Sequence, residues 1–148
     1  MKTATVKTSE LDGLALDYAV GVAMGVDGLY VGLEKKVFET ETIPLATGFP
    51  ERTKSLIKIP FVCVIKSASE ANPYHPTVEW QDFIELFIID VDTDDPDHKG
   101  ESWRAELYKP DNGCSVFGVA ETPGTAICRA VVAHLSGDSV EVPEVLLG

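Results

Sequence analysis

Apolar residues at Leu11, Leu14, Ala15, Tyr18 and Val22 follow the i, i+3, i+4, i+7, i+11 spacing that lines one face of a helix. Ser9 precedes this run as a cap, Glu10 and Asp12 favour its positive end, and Gly25 or Gly28 can stop it. Beyond the helix the period shortens. Residues 29–33 and 37–43 read as short strands, and 44–54, with Gly48 and Pro50, reads as a loop. In 56–65, Ile57, Ile59, Phe61, Cys63 and Ile65 share one side of a strand, and Pro60 demands an edge or a bulge. Residues 67–77 read as loop, and 83–91, apolar on nearly both faces, as a central covered strand.

The last third is the most regular. Trp103, Ala105 and Leu107 alternate with Arg104, Glu106 and Tyr108, and Pro110-Asp111-Asn112-Gly113 is turn chemistry, so 114–119 returns as the partner strand. Thr122 caps a second helix with Pro123 in its first turn. Ala126, Ile127, Ala130, Val131 and Leu135 line its inner face, Gly137 stops it, and 140–145 forms a short tail. The expectation is an α+β fold, a mainly antiparallel sheet with an N-terminal and a C-terminal helix packed on it. The order is α-β-β-β-β-α, in one domain over 1–148.

Composition narrows the function classes. Of 148 residues 45% are hydrophobic, enough for a core, and no apolar run approaches the ~20 residues that span a bilayer. The first residues lack the apolar stretch of a secretion signal, which makes the cytoplasm the expected location. Cys63, Cys114 and Cys128 are odd in number and widely spaced, as reduced structural cysteines are. Twelve Lys and Arg against 24 Asp and Glu give −12, a field that opposes nucleic acid and anionic membranes. The charge is uneven: residues 79–101 hold nine acids against Lys99, whereas 52–66 hold Arg52, Lys54, Lys58 and Lys66 and no acid.

Candidate chemistry is sparse. Asp90, Asp92, Asp94 and Glu101 have the 1, 3, 5, 12 spacing of a calcium loop. Asp95 stands where the sharp turn needs Gly, however, and a strand precedes the loop, so only weak divalent-cation binding follows and no dedicated cofactor is expected. His98 belongs to that loop, His134 borders apolar helix positions, and His75 lacks a nucleophile to serve. No nucleophile elbow, phosphate loop or dinucleotide fingerprint is present, so catalysis is the lesser expectation. Tyr74, His75, Trp80, Trp103 and Arg104 form the candidate ligand-binding set, with stacking faces and one guanidinium fork. The competing reading places Trp103 in the core and has Tyr74 and Trp80 pin a loop.

Four pieces carry a resemblance. They are Val6 through Val20; Tyr74-His75-Pro76-Thr77 with Trp80; Trp103 with Ala105 and Tyr108; and Thr122-Pro123 with Arg129 through Pro143. Together and in this order they resemble the phage NinX-like family, which carries Trp where this chain has Tyr18; residues 26–73 lie outside the resemblance. It implies a phage or prophage accessory protein and supplies no catalytic residues. The strand-turn-strand-helix unit of 103–136 is also similar to the closing unit of HicB-like antitoxins, with Ala120 where that unit often has Gly. The functional expectation is a non-enzymatic accessory protein that binds a host protein or a small metabolite or nucleotide, with self-association through the 56–65 edge. The alternatives are a metal-dependent hydrolase using 90–101 and an antitoxin-like interaction protein.

Overall fold

In a computed structural model of the chain, the residues described are 2–67, 69–81, 89–93, 103–109 and 114–147. The chain opens with a strand, β1 (Thr3–Lys7), followed by a single 3-10 turn and helix α1 (Gly13–Ala23). Strands β2 (Leu29–Thr42), β3 (Glu51–Ser67) and β4 (Glu70–Pro73) come next, then β5 (Ile89–Thr93), β6 (Trp103–Lys109) and β7 (Cys114–Ala120). Helix α2 (Pro123–Ser136) and strand β8 (Ser139–Pro143) close the fold before a last 3-10 turn at Glu144–Leu147.

The fold class is α+β and, among the described residues, all pairing is antiparallel, as the sequence pattern predicts, but the strands divide into three sheets. β1 pairs with β8, β2-β3-β4 form a second sheet, and β5-β6-β7 a third. An opening strand therefore precedes the expected helix. Its short alternation, Thr3 to Lys7, becomes a strand because β8, at the far end of the chain, supplies the partner. The two short strands expected at 29–43 are one continuous strand, carried across Glu34, Lys35 and Lys36 by pairing with β3. Pairing also shortens the expected loops, since β3 begins at Glu51 and β4 lies within 67–77. Pro60 pairs with Leu33 at a position that β4, opposite residues 63–67, does not cover. Its missing N–H thus lies on an edge. Of the strand expected at 83–91, only 89–91 lie within the described residues; there β5 is an edge strand and β6 is central. The turn expected at 110–113 lies outside the described residues.

The start and face of α1 also differ from expectation. Ser9 sits in the 3-10 turn, and Asp12 holds the N-cap position without a side-chain capping bond. Leu11 and Ala15 are buried and Leu14 and Tyr18 pack against the core as expected, but Leu16, Ala19 and Val20 are buried as well and Val22 is exposed. Gly-Leu-Ala-Leu-Asp-Tyr-Ala-Val-Gly-Val-Ala is apolar nearly all round, so periodicity alone cannot orient it. α2 obeys its signals. The Thr122 hydroxyl accepts from the Thr125 N–H at 3.3 Å, Pro123 opens the first turn, and Gly137 ends the helix at φ +93°. Ala126, Ile127, Ala130 and Val131 are fully buried, while Leu135 is exposed.

One core joins α1, α2, β3, β6 and β8: Leu16, Val20, Val62, Leu107, Ile127, Val131 and Val142 have at most 1% exposure. α2 crosses β7 at Gly118, where a Cβ would run into the Ala126 carbonyl, so only glycine admits this approach.

Candidate functional site

Asp17 lies on the buried face of α1, 3% exposed and without a cation on its own helix. Its partners come from the segment between β4 and α2. The Thr77 N–H donates to Asp17 Oδ1 at 3.0 Å, and His75 Nδ1 lies 3.6 Å from Oδ2, an ion pair when the imidazole is protonated. The segment is also tied through its backbone, by the Tyr74 N–H to the Val62 carbonyl at 3.1 Å and the Glu79 N–H to the His75 carbonyl at 2.9 Å. Tyr74 packs toward Gly21, and Trp80 with the Thr77 carbonyl closes on Gly124 at the start of α2, where a Cβ would clash. Three of the four pieces that carry the family resemblance thus meet around one carboxylate.

The electrostatics follow from burial. Desolvation raises the Asp17 carboxyl above its ordinary value of 3.8, against the opposing pull of the Thr77 hydrogen bonds and of His75. Burial pushes the Tyr74 hydroxyl up to about 12, with Cys128 and Asp17 adding to it, and raises the Cys128 thiol as well. Cys63 and Cys128 are free and buried. A thiol held protonated is a poor nucleophile, so Cys128 serves packing.

Of the five residues expected to bind a ligand, Tyr74, His75 and Trp80 share the segment latched to Asp17, while Trp103 and Arg104 lie on β6. Tyr74, Trp80 and Trp103 are partly buried and pack against the core. His75 keeps 46% of its side chain exposed and lines a cleft of about 310 Å³ with Glu34, Phe61, Cys63 and Pro73. Arg104 points to the opposite face of β6 from Trp103 and Ala105, its guanidinium 4.0 Å from the centre of the Phe117 ring. Of the carboxylates expected to bind a cation, Asp94 and Glu101 lie outside the described residues. Asp90 and Asp92 fall on β5, in register with Glu106 and Arg104, and their side chains too are outside the description. Among the described residues no group of three or more His, Cys, Asp and Glu side chains has the arrangement of a metal site.

A different place gathers cations. A groove of about 580 Å³ runs between the edge of β7 and the β1–β8 ribbon, floored by Arg129 and Ala133 of α2. Lys7, Ser9, Phe117, Val119 and Asp138 line it. Arg129 braces its floor: Nε donates to the Leu11 carbonyl at 2.7 Å and one terminal nitrogen to the Val119 carbonyl at 2.5 Å. The Thr8 hydroxyl donates to the Gly137 carbonyl at 2.7 Å, and the Thr8 N–H to the Asp138 carbonyl at 2.8 Å, which fixes the opposite wall. A smaller, acidic hollow of about 390 Å³, with Asp12 and Glu121, lies on the other side of Arg129. Lys7 and Arg129 are 122 positions apart, and the signal that joins them is tertiary: β1 must find β8 before Lys7 faces α2. Asp17 left a fainter trace in the sequence, a lone acid between Leu16 and Tyr18 in an apolar helix.

An α+β fold, with a helix toward each end and a motif-bearing segment latched to α1 through Asp17, defines the structural class. Residues 7–135 match the model of the family described as Bacteriophage P22, NinX, and the chain belongs to that family. The bounds of the match take in residues 26–73 as well. This makes the chain a phage-associated protein, of a family without an assigned activity. No curated protein matches it. Among the described residues no helix is long and apolar enough to cross a membrane.

Proposed function

We propose that this protein is a phage accessory protein that binds a small anionic metabolite carrying a planar ring, of the nucleotide class, and releases it unchanged. One observation carries the reading: in a chain of net charge −12, Lys7 and Arg129 line one braced groove of about 580 Å³ together with Phe117. That volume is within the roughly 300–1,000 Å³ usual for small-ligand sites. Phosphate oxygens accept from the Lys7 ammonium and from guanidinium N–H groups that Arg129 has left after bonding two carbonyls. The ring packs toward Phe117 and Val119, and the Asp138 carboxylate accepts from a sugar hydroxyl. The net field opposes an anion's approach, so affinity rests on these local cations and not on long-range steering. Host cytoplasm is where such a metabolite would be met.

The test is isothermal titration calorimetry of the full chain against nucleoside mono-, di- and triphosphates and the matching nucleosides. Binding of a phosphorylated member is expected, and Lys7→Glu should weaken it about tenfold or more, the size of one charge-assisted contact. Lys7 is exposed, so stability should not follow. No heat with any nucleotide, or equal affinity for Lys7→Glu, would sink the reading.

A further inference from the structure

The β2–β3 hairpin leaves the body. Its pairs near the base, such as Val31↔Val62 and Tyr30↔Cys63, reach the core, but from Leu33↔Pro60 to Thr42↔Glu51 ten further pairs extend the ribbon, about 30 Å at ~3.4 Å per residue. Residues 33–43 and 51–58 are all exposed. A two-stranded ribbon without a packed face is marginal in water. The cross-strand side-chain contacts this one shows are slight: Thr40 to Thr53 at 3.0 Å and an exposed Lys54–Glu39 pair at 3.9 Å. Yet each face carries a large apolar pair among its charged and polar positions. Val37 and Leu56 stand opposite each other on one face, 64% and 60% exposed, while Phe38 and Ile57 share the other, and Leu45 and Phe49 crown the tip. All six side chains stand in solvent in the single chain.

Charge identifies the occupant. Residues 33–60 hold Lys35, Lys36, Arg52, Lys54 and Lys58 against Glu34, Glu39, Glu41 and Glu51, a net of +1, which leaves −13 on the rest of a −12 chain. An arm that is faintly basic and carries exposed apolar pairs fits a body that is strongly acidic, and a second copy of this chain supplies that body while its own arm returns the contact. We infer that the β2–β3 arm of each copy lies across the acidic body of another, making a two-fold homodimer. A two-fold arrangement uses both arms at once and leaves neither exposed. The inference is independent of the nucleotide groove, which Lys7 and Arg129 line without help from the arm.

Sedimentation velocity of the full chain over a concentration series tests it, with Val37→Glu/Leu56→Glu as the variant. Wild type should be a dimer at tens of micromolar, and the variant a monomer, at least about a hundredfold weaker in self-association because two charges would be buried without partners. Both positions are exposed in the single chain, so the variant should keep the wild-type far-ultraviolet circular dichroism. Hydrogen exchange supplies a second readout, since amides of 34–42 and 51–58 should slow as wild-type concentration rises. Monomeric wild type, an undiminished dimer in the variant, or arm exchange indifferent to concentration would each overturn the inference.

Discussion

Asp17 and the β2–β3 arm stand at opposite ends of how this chain treats its residues. Asp17 is a charged group the sequence puts inside, held by Thr77 and His75 and covered by Tyr74 on the same segment. Val37, Phe38, Leu56 and Ile57 are apolar groups the sequence leaves outside, on a ribbon held chiefly by its own ladder. Hydrophobicity alone would reverse the two. The difference shows that burial here follows topology. The segment 74–80 must cross α1 to reach the start of α2, and a carboxylate is what can accept its backbone N–H. The arm extends past the reach of any helix, so its apolar residues meet only what another molecule brings.

Substitutions can break that contrast, and the largest effect belongs to the body. Leu16→Ala removes a side chain of zero exposure between α1 and α2 and should cost about 2–5 kcal/mol in urea unfolding. Val37→Ala on the arm, measured below the dimerisation range, should stay within about 0.5 kcal/mol. Equal losses would erase the distinction between the regions.

Next in size is the latch. Asp17→Ala leaves the Thr77 N–H without its acceptor and should cost about 1–3 kcal/mol. Limited proteolysis should then cut within 74–81 faster than in wild type. A variant as stable and as resistant as wild type would mean that Asp17 does not hold the segment.

The smallest effect is in pH. Burial raises the folded Asp17 carboxyl above 3.8, so the folded state binds its proton more tightly than the unfolded chain. The stability this gives is full below the ordinary carboxylate value and is lost as pH rises through the raised folded value. Asp17→Asn keeps an acceptor for Thr77 and does not titrate. The stability difference should therefore move in favour of Asp17→Asn as pH rises through that window, read from urea midpoints. A difference that stays flat, or moves the other way, would place the Thr77 and His75 interactions above burial.

How much of this was legible depended on the range of the interaction. Local chemistry sufficed for α2, because Thr122, Pro123 and Gly137 act within one turn of the backbone they govern. It sufficed for the β6–β7 pairing too, where six alternating residues and a turn sequence lie side by side. The face of α1 was legible only in part, since a helix apolar nearly all round is oriented by what packs on it. The β1–β8 pair was hidden for a related reason: five residues at each end of the chain carry no mark of their partner. The candidate site followed the same rule. Tyr74, His75 and Trp80 were found as an aromatic cluster in sequence, but the residue that organises them, Asp17, is 60 positions from the Thr77 N–H it receives. On β6, strand alternation turns Arg104 away from Trp103.

Native mass spectrometry of the full chain, mixed with a cellular nucleotide pool and compared with its denatured mass, tests the central claim most directly. The binding account predicts an added mass of a few hundred daltons per chain, lost on denaturation and reduced in Lys7→Glu. A wild-type chain that stays bare while the pool is in excess would contradict it.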